Sequence, residues 1–142
     1  MSMARGSVPG RILLVEDDAD INATLCEMLE EEGYEVQAVP NGRAALEALE
    51  QLPAPCLVLL DVEMPRMDGY DFLAHLRQHA RHAADPVVVV TASRHAPTEV
   101  DEVLHKPFDF EVLLDAVERY CEAGPRPDTR WRADAGHGLH AL

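Results

Sequence analysis

Long apolar runs are missing from this chain. Across its 142 residues no stretch approaches the roughly 20 apolar residues that span a bilayer, and Met1 to Gly10 lacks the apolar core of a signal peptide. The chain is therefore expected in the cytoplasm, away from membranes. Positive charge is also scarce: 12 Lys and Arg stand against 26 Asp and Glu, a net charge of -14. Such a surface repels phosphate backbones and anionic lipid, so direct nucleic acid binding is not expected. Cysteine is rarer still. Cys26, Cys56 and Cys121 are odd in number, far apart and each set in an apolar segment. That pattern argues for reduced core thiols, against a disulfide and against a metal cluster. There is no internal repeat, and the length suits one domain with a single core.

What is present is a set of short apolar strands that end in polar residues. Cys56-Leu57-Val58-Leu59-Leu60-Asp61 is a continuous branched run closed by a carboxylate, the pattern of a buried parallel strand that delivers Asp61 to its carboxyl edge. In the segment that follows, Val62 to Gly69, Pro65 biases Met64 away from helix and Asp68-Gly69 makes a turn in which Asp68 caps the next helix. Upstream, Arg11-Ile12-Leu13-Leu14-Val15 ends in Glu16-Asp17-Asp18. A helix follows with Ile21, Leu25, Met28 and Leu29 at helical spacing, and Gly33 suits its C-terminal cap. Tyr34 to Val39 predicts a second strand, and a helix through Ala44 to Leu49 is stopped by Pro53. A third helix is predicted from Gly69 to His79. Val87 to Val90 is a β-branched run ending in Thr91, Val103 to Pro107 suits a fifth strand, and a last helix is expected from Phe108 to Glu122. Strand and helix alternate at crossover spacing, which predicts an α/β fold with a parallel five-stranded sheet and helices on both faces. The compact domain is expected over 11–122, with flexible segments at 1–10 and 123–142.

In such sheets the strand tips converge on one crevice. Glu16 and Asp17, Asp61, Thr91 and Lys106 occupy four of them. Every strand must be followed by some polar residue, but that alone does not explain two acids, an acid, a hydroxyl and a lysine. Here the sequence resembles the receiver domains of bacterial two-component response regulators. The likeness is borne by Ile12-Leu13-Leu14-Val15-Glu16-Asp17-Asp18, by Leu60-Asp61 through Met64-Pro65 to Met67-Asp68-Gly69, by Thr91-Ala92 and by Lys106-Pro107-Phe108. It implies a flavodoxin-like, CheY-like doubly wound fold. It also implies that Asp61 accepts a phosphoryl group from a sensor histidine kinase or phosphotransfer protein. Asp17 would bind Mg²⁺ directly with Asp61 and the backbone carbonyl of Glu63, and Glu16 would act through water. Thr91 would hydrogen-bond the phosphoryl group, Lys106 would pair with it, and the Lys106 to Pro107 bond would be cis.

The physics of the residues fits those roles. Two like charges 4 Å apart cost about 4 kcal/mol at an effective dielectric of 20, so three carboxylates without a cation resist an incoming phosphoryl group. Mg²⁺ prefers octahedral oxygen ligands, keeps several waters and leaves room for a phosphoryl oxygen. Charge on the transferred group can be shared with Lys106 and Thr91, and the mixed anhydride formed on Asp61 is labile to water.

The chain departs from the family in one region. Only 14 residues separate Thr91 from Lys106, and Pro97 is among them. The fourth helix is therefore expected to be absent or vestigial, by roughly two helical turns. Val103 stands where receivers commonly place Tyr or Phe, so the usual aromatic readout and the dimer face built around it are in question. His75, His79 and His82 fall at helical spacing and are expected on a solvated face rather than around a metal ion; His105 is given no role. Arg130-Trp131-Arg132 lies in a Gly- and Pro-rich tail read as an unstructured remnant rather than a docking peptide, and no output module is expected. The leading reading is a single-domain response regulator with an unidentified protein target and no separate substrate turned over. The alternative is a receiver-like scaffold that acts whatever its phosphorylation state. A phosphatase of the haloacid dehalogenase type would want Asp-x-Asp, whereas this chain reads Asp61-Val62-Glu63.

Overall fold

The computed structural model describes residues 9–62, 69–92, 97 and 99–122. Among these residues are five parallel strands: β1 (Arg11–Val15), β2 (Glu35–Val39), β3 (Leu57–Asp61), β4 (Val87–Thr91) and β5 (Glu102–His105). They lie in the order β2-β1-β3-β4-β5, the doubly wound arrangement whose switch point falls between β1 and β3. Among the described residues four helices accompany them: α1 (Ala19–Glu31), α2 (Gly42–Gln51), α3 (Gly69–Arg77) and α4 (Phe110–Tyr120). No described helix is long and apolar enough to cross a membrane.

Strand alternation divides the core in two. Ile12, Leu14, Leu57, Leu59, Val88, Val90 and Leu104 point to one face and pack with Leu25 and Leu29 of α1 and Leu113 and Val117 of α4. Leu13, Val15, Val58, Leu60, Val87 and Val89 point to the other, against Ala45 and Leu49 of α2 and Phe72 and Leu76 of α3. Because β1, β3 and β4 are covered on both faces, they read as unbroken apolar runs.

The helix ends follow from local chemistry. Asp18 Oδ1 accepts hydrogen bonds from the backbone N–H of Asp20 and Ile21, which satisfies two donors at the start of α1, and Asn41 Oδ1 accepts from Ala44 N at the start of α2. Gly33 closes α1 at φ 100°, a conformation glycine adopts without strain. α3 stops at Arg77 rather than His79, because Gln78 and His79 bond back to the carbonyls of His75 and Leu76, three residues earlier, and tighten the turn. α4 begins at Phe110 and ends at Tyr120, inside the expected 108–122, with Asp109 at its N-cap position and Cys121 already extended. β5 is shorter than 103–107 suggested, although its ladder continues as Lys106 N donates to Thr91 O at 2.8 Å.

Between β4 and β5 no described residue is helical, as the residue count required. The short connection is clasped at its far end: Asp101 N donates to Val87 O at 2.9 Å and Asp101 Oδ2 accepts from Val87 N at 2.7 Å. Val103 is partly buried against the α2 and α3 side of the core. One expectation is overturned. His75 is exposed, but His82 has no solvent contact at all, because the turns after α3 fold back beneath β3 and carry it inward. The expected cap at Asp68, the loop at 93–96 and the tail with Arg130, Trp131 and Arg132 lie outside the described residues.

Candidate functional site

Register places the acids side by side. Val15 of β1 pairs with Leu60 of β3, so Glu16 and Asp61 follow as the next row at the carboxyl edge. Glu16 N donates to Val39 O at 3.1 Å, which extends the β1 ladder one residue beyond the strand. By alternation Glu16, Asp61 and Lys106 belong to the face of Leu14, Leu59 and Leu104, which faces α1 and α4. Thr91, one residue beyond the Val90 that pairs with Asp61, is buried at the tip of β4.

Lys106 Nζ lies 3.5 Å from Asp61 Oδ2 and 3.5 Å from Glu16 Oε1. Asp61 and Glu16 are both buried, whereas Asp17 is exposed at the mouth. One carboxylate oxygen from each of Glu16, Asp17 and Asp61 lies within 4.8 Å of the others. Glu63 lies outside the described residues. Asn22 fastens the loop below: its Nδ2 donates to Glu16 O at 2.9 Å and to Val39 O at 3.1 Å. Sequence reading had not singled out Asn22, whose only local sign was its place in the first turn of α1. The Lys106 to Pro107 peptide is cis, as the resemblance implied, and so is Ala54 to Pro55.

The electrostatics are those of a site short of positive charge. Glu16 Oε2 accepts from Asp18 N at 3.0 Å, but Oε1 is buried and makes no hydrogen bond among the described residues; at 3.5 Å Lys106 attracts it without meeting hydrogen-bond geometry. Burial, and after it the neighbouring Asp61 carboxylate, push the Glu16 pKa up to about 7, against the pull of the Asp18 N–H and Lys106. Burial disfavours the Lys106 ammonium, yet Asp61 and Glu16 outweigh it and hold its pKa above the ordinary lysine value. Three converging carboxylates and an oxygen without a hydrogen bond suit a hard divalent cation.

A stability consequence follows. Glu16 titrates near 4.5 when unfolded and about 7 when folded, so between those values the unfolded chain releases its proton first and stability falls as pH rises. In chelator, Glu16→Gln should flatten this slope and gain on the order of 2 kcal/mol over wild type at pH 8, with little difference at pH 4. Denaturant titrations at both pH values measure it; parallel slopes in the two proteins would contradict the assignment.

Comparison with known proteins is consistent with this geometry. Residues 12–118 match the family model described as a response regulator receiver domain. The chain is 39% identical over 123 residues to the transcriptional regulatory protein PdtaR of Mycobacterium tuberculosis, covering 81% of this chain and 58% of that one. It is 37% identical to a 14.6 kDa protein of Leptolyngbya boryana, covering 82% of this chain and 93% of the other. Against PdtaR, then, it spans little more than half of the relative's length. Among solved structures it resembles the chemotaxis protein CheY4 of Vibrio cholerae, with TM-score 0.71 at 27% identity, covering 80% of this chain and 99% of that one. It also resembles the response regulator TrrA of Thermotoga maritima in complex with Mg²⁺ and BeF, with TM-score 0.67 at 32% identity, covering 78% and 97%.

Proposed function

Because this chain belongs to the response regulator receiver family, matched over residues 12–118, we propose that Asp61 accepts a phosphoryl group from a sensor histidine kinase or phosphotransfer protein and relays the signal to a protein target. The observation that carries this reading is the lysine held 3.5 Å from both Asp61 and Glu16 at the switch point of the sheet. The activities of whole regulators such as PdtaR extend over lengths this chain does not match.

In the proposed step an Asp61 oxygen attacks phosphorus, a P–O bond forms and the P–N bond of the donor phosphohistidine breaks. Lys106 exchanges its contact with the free carboxylate for one with a phosphoryl oxygen, so its charge remains compensated. The Thr91 hydroxyl donates to a second phosphoryl oxygen. Asn22 holds the β1–α1 turn so that Glu16 and Asp17 stay in reach. Glu16, Asp17 and Asp61, with the Glu63 carbonyl as the resemblance implies, are the groups we assign to Mg²⁺; when bound, the ion supplies the positive charge these carboxylates lack. The acyl phosphate on Asp61 is open to hydrolysis, so the modified state is self-limiting and no separate substrate is turned over.

The test is incubation of the folded chain with phosphoramidate and Mg²⁺, followed by intact mass measurement. One phosphoryl increment that decays on standing is expected, and its loss in chelator is part of the expectation. A folded chain that stays unmodified would favour the scaffold reading, to which the lack of a described helix between β4 and β5 and Val103 in place of an aromatic residue also lend weight.

A further inference from the structure

The opposite, amino edge of the sheet holds a second group of titratable side chains. Cys56 immediately precedes β3, and His82 and Asp85 lie in the turns between α3 and β4; all three are buried. His82 Nε2 lies 3.0 Å from the Leu52 carbonyl oxygen. A carbonyl only accepts, so this nitrogen bears hydrogen and Nδ1 faces the other two groups. Nδ1 is 2.5 Å from Asp85 Oδ2 and 3.9 Å from Cys56 Sγ, and Sγ donates to Asp85 Oδ2 at 3.3 Å. Thiol, imidazole and carboxyl thus aim their donor atoms at one point.

A nucleophilic relay is excluded, because base and orienting acid would have to take opposite ring nitrogens, whereas Cys56 and Asp85 both stand on the Nδ1 side. A histidine whose far nitrogen donates to a backbone carbonyl, leaving the near one to a thiol and a carboxyl, has instead the arrangement of a metal ligand with its orienting partner. The loop that supplies this carbonyl is itself fastened: Arg81 Nη1 donates to Leu52 O at 3.1 Å and Arg11 Nη1 to Pro55 O at 3.1 Å.

We propose that Cys56, His82 and Asp85 form a binding site for a thiophilic divalent cation of the Zn²⁺ class, with His82 ligating through Nδ1. Sulfur, imidazole nitrogen and a single carboxylate oxygen are the donors such an ion takes, and Mg²⁺ does not compete for thiolate. Protons and charge balance. Without an ion the group holds the thiol proton and one proton shared between His82 and Asp85, and is neutral. An incoming divalent cation releases both protons and meets one thiolate and one carboxylate, so the site is neutral again and no net charge is buried. Bond lengths of about 2.3 Å to sulfur and 2.0–2.1 Å to nitrogen and oxygen put tetrahedral donors roughly 3.3–3.6 Å apart. The sulfur distances of 3.9 and 3.3 Å bracket that range, and the 2.5 Å contact opens once its proton leaves. Burial, then the Asp85 charge, hold the free thiol protonated well above its usual range, so affinity rises with pH. This site stands apart from the Asp61 reading and does not rest on it.

The test titrates the full chain with Co²⁺ in excess Mg²⁺, which occupies the oxygen site. One equivalent should give a thiolate-to-cobalt charge-transfer band with tetrahedral visible absorption, release two protons and be displaced by Zn²⁺. The spectrum should persist in Cys26→Ser, and Co²⁺ affinity should fall by a factor of at least about 10 in Cys56→Ser. A spectrum without a thiolate band, a band that survives Cys56→Ser, or one that disappears in Cys26→Ser would each overturn the site. Should Cys56→Ser not fold, X-ray absorption of the Zn²⁺-loaded chain carrying both Cys26→Ser and Cys121→Ser, in which Cys56 is the remaining thiol, decides: one sulfur among lighter neighbours supports the proposal, and none refutes it.

Discussion

Asp61→Asn should abolish phosphorylation altogether while leaving the fold intact. The amide is nearly isosteric, and Asp61 lies at the end of a strand whose other residues make the packing contacts, so neither volume nor ladder changes. The chemistry does change. An amide oxygen bears no full charge, and its lone pair is delocalised into the C–N bond, so it cannot attack phosphorus at a useful rate. With phosphoramidate and Mg²⁺ the variant's intact mass should stay that of the unmodified chain, while its far-ultraviolet circular dichroism matches wild type. The substitution also removes a carboxylate from beside Glu16, one of the causes that raise the Glu16 pKa, so the fall in stability with rising pH should become shallower. A phosphoryl increment on Asp61→Asn would place the acceptor elsewhere and sink the assignment.

Gly69→Ala should be among the most destabilising single-methyl additions available to this chain. The reason is close approach rather than an unusual φ. A Cβ at Gly69 would stand 2.5 Å from Val62 Cα and 2.6 Å from Val62 Cγ1, where the first residue of α3 meets the residue just past β3. Gly69 N also donates to Val62 O at 3.2 Å, so backbone lies against backbone. Overpacking of this kind costs about 1–3 kcal/mol, and the better helix propensity of alanine recovers under about 1 kcal/mol of it. Because the obstacle includes Val62 Cα, adding Val62→Ala should rescue only part of the loss. The displaced residue adjoins Asp61, so the phosphorylation rate should fall along with the denaturation midpoint. Urea unfolding of the single and double variants is the measurement; a neutral Gly69→Ala would show that α3 does not sit this close to β3.

What could be read from sequence follows the range of the interactions concerned. Glu16, Asp61 and Thr91 were legible because each directly follows, or closes, an apolar run, and Lys106 because it lies one residue beyond such a run, after His105; parallel topology brings such tips to one edge without any knowledge of side-chain packing. That no described residue between β4 and β5 is helical was legible by arithmetic on the spacing of Thr91 and Lys106. Helix ends were less so: α3 loses its final turn to backbone bonds from Gln78 and His79 that no residue type announces. His82 was misread because helical spacing was extended past Arg77 into turns, and its burial depends on reaching Leu52 and Cys56, 30 and 26 positions away in the chain. Cys56 was recognised as a buried thiol, but its polar neighbours come from a segment folded back beneath it.

β3 therefore separates two chemistries along its own length. Cys56 and Asp61 stand at opposite tips, five residues and about 17 Å apart, on a strand laced to β1 on one side and β4 on the other. That strand is held along both margins, and substitutions at sites this far apart are expected to act additively. A substitution at the sulfur tip is accordingly expected to change the carboxylate tip little.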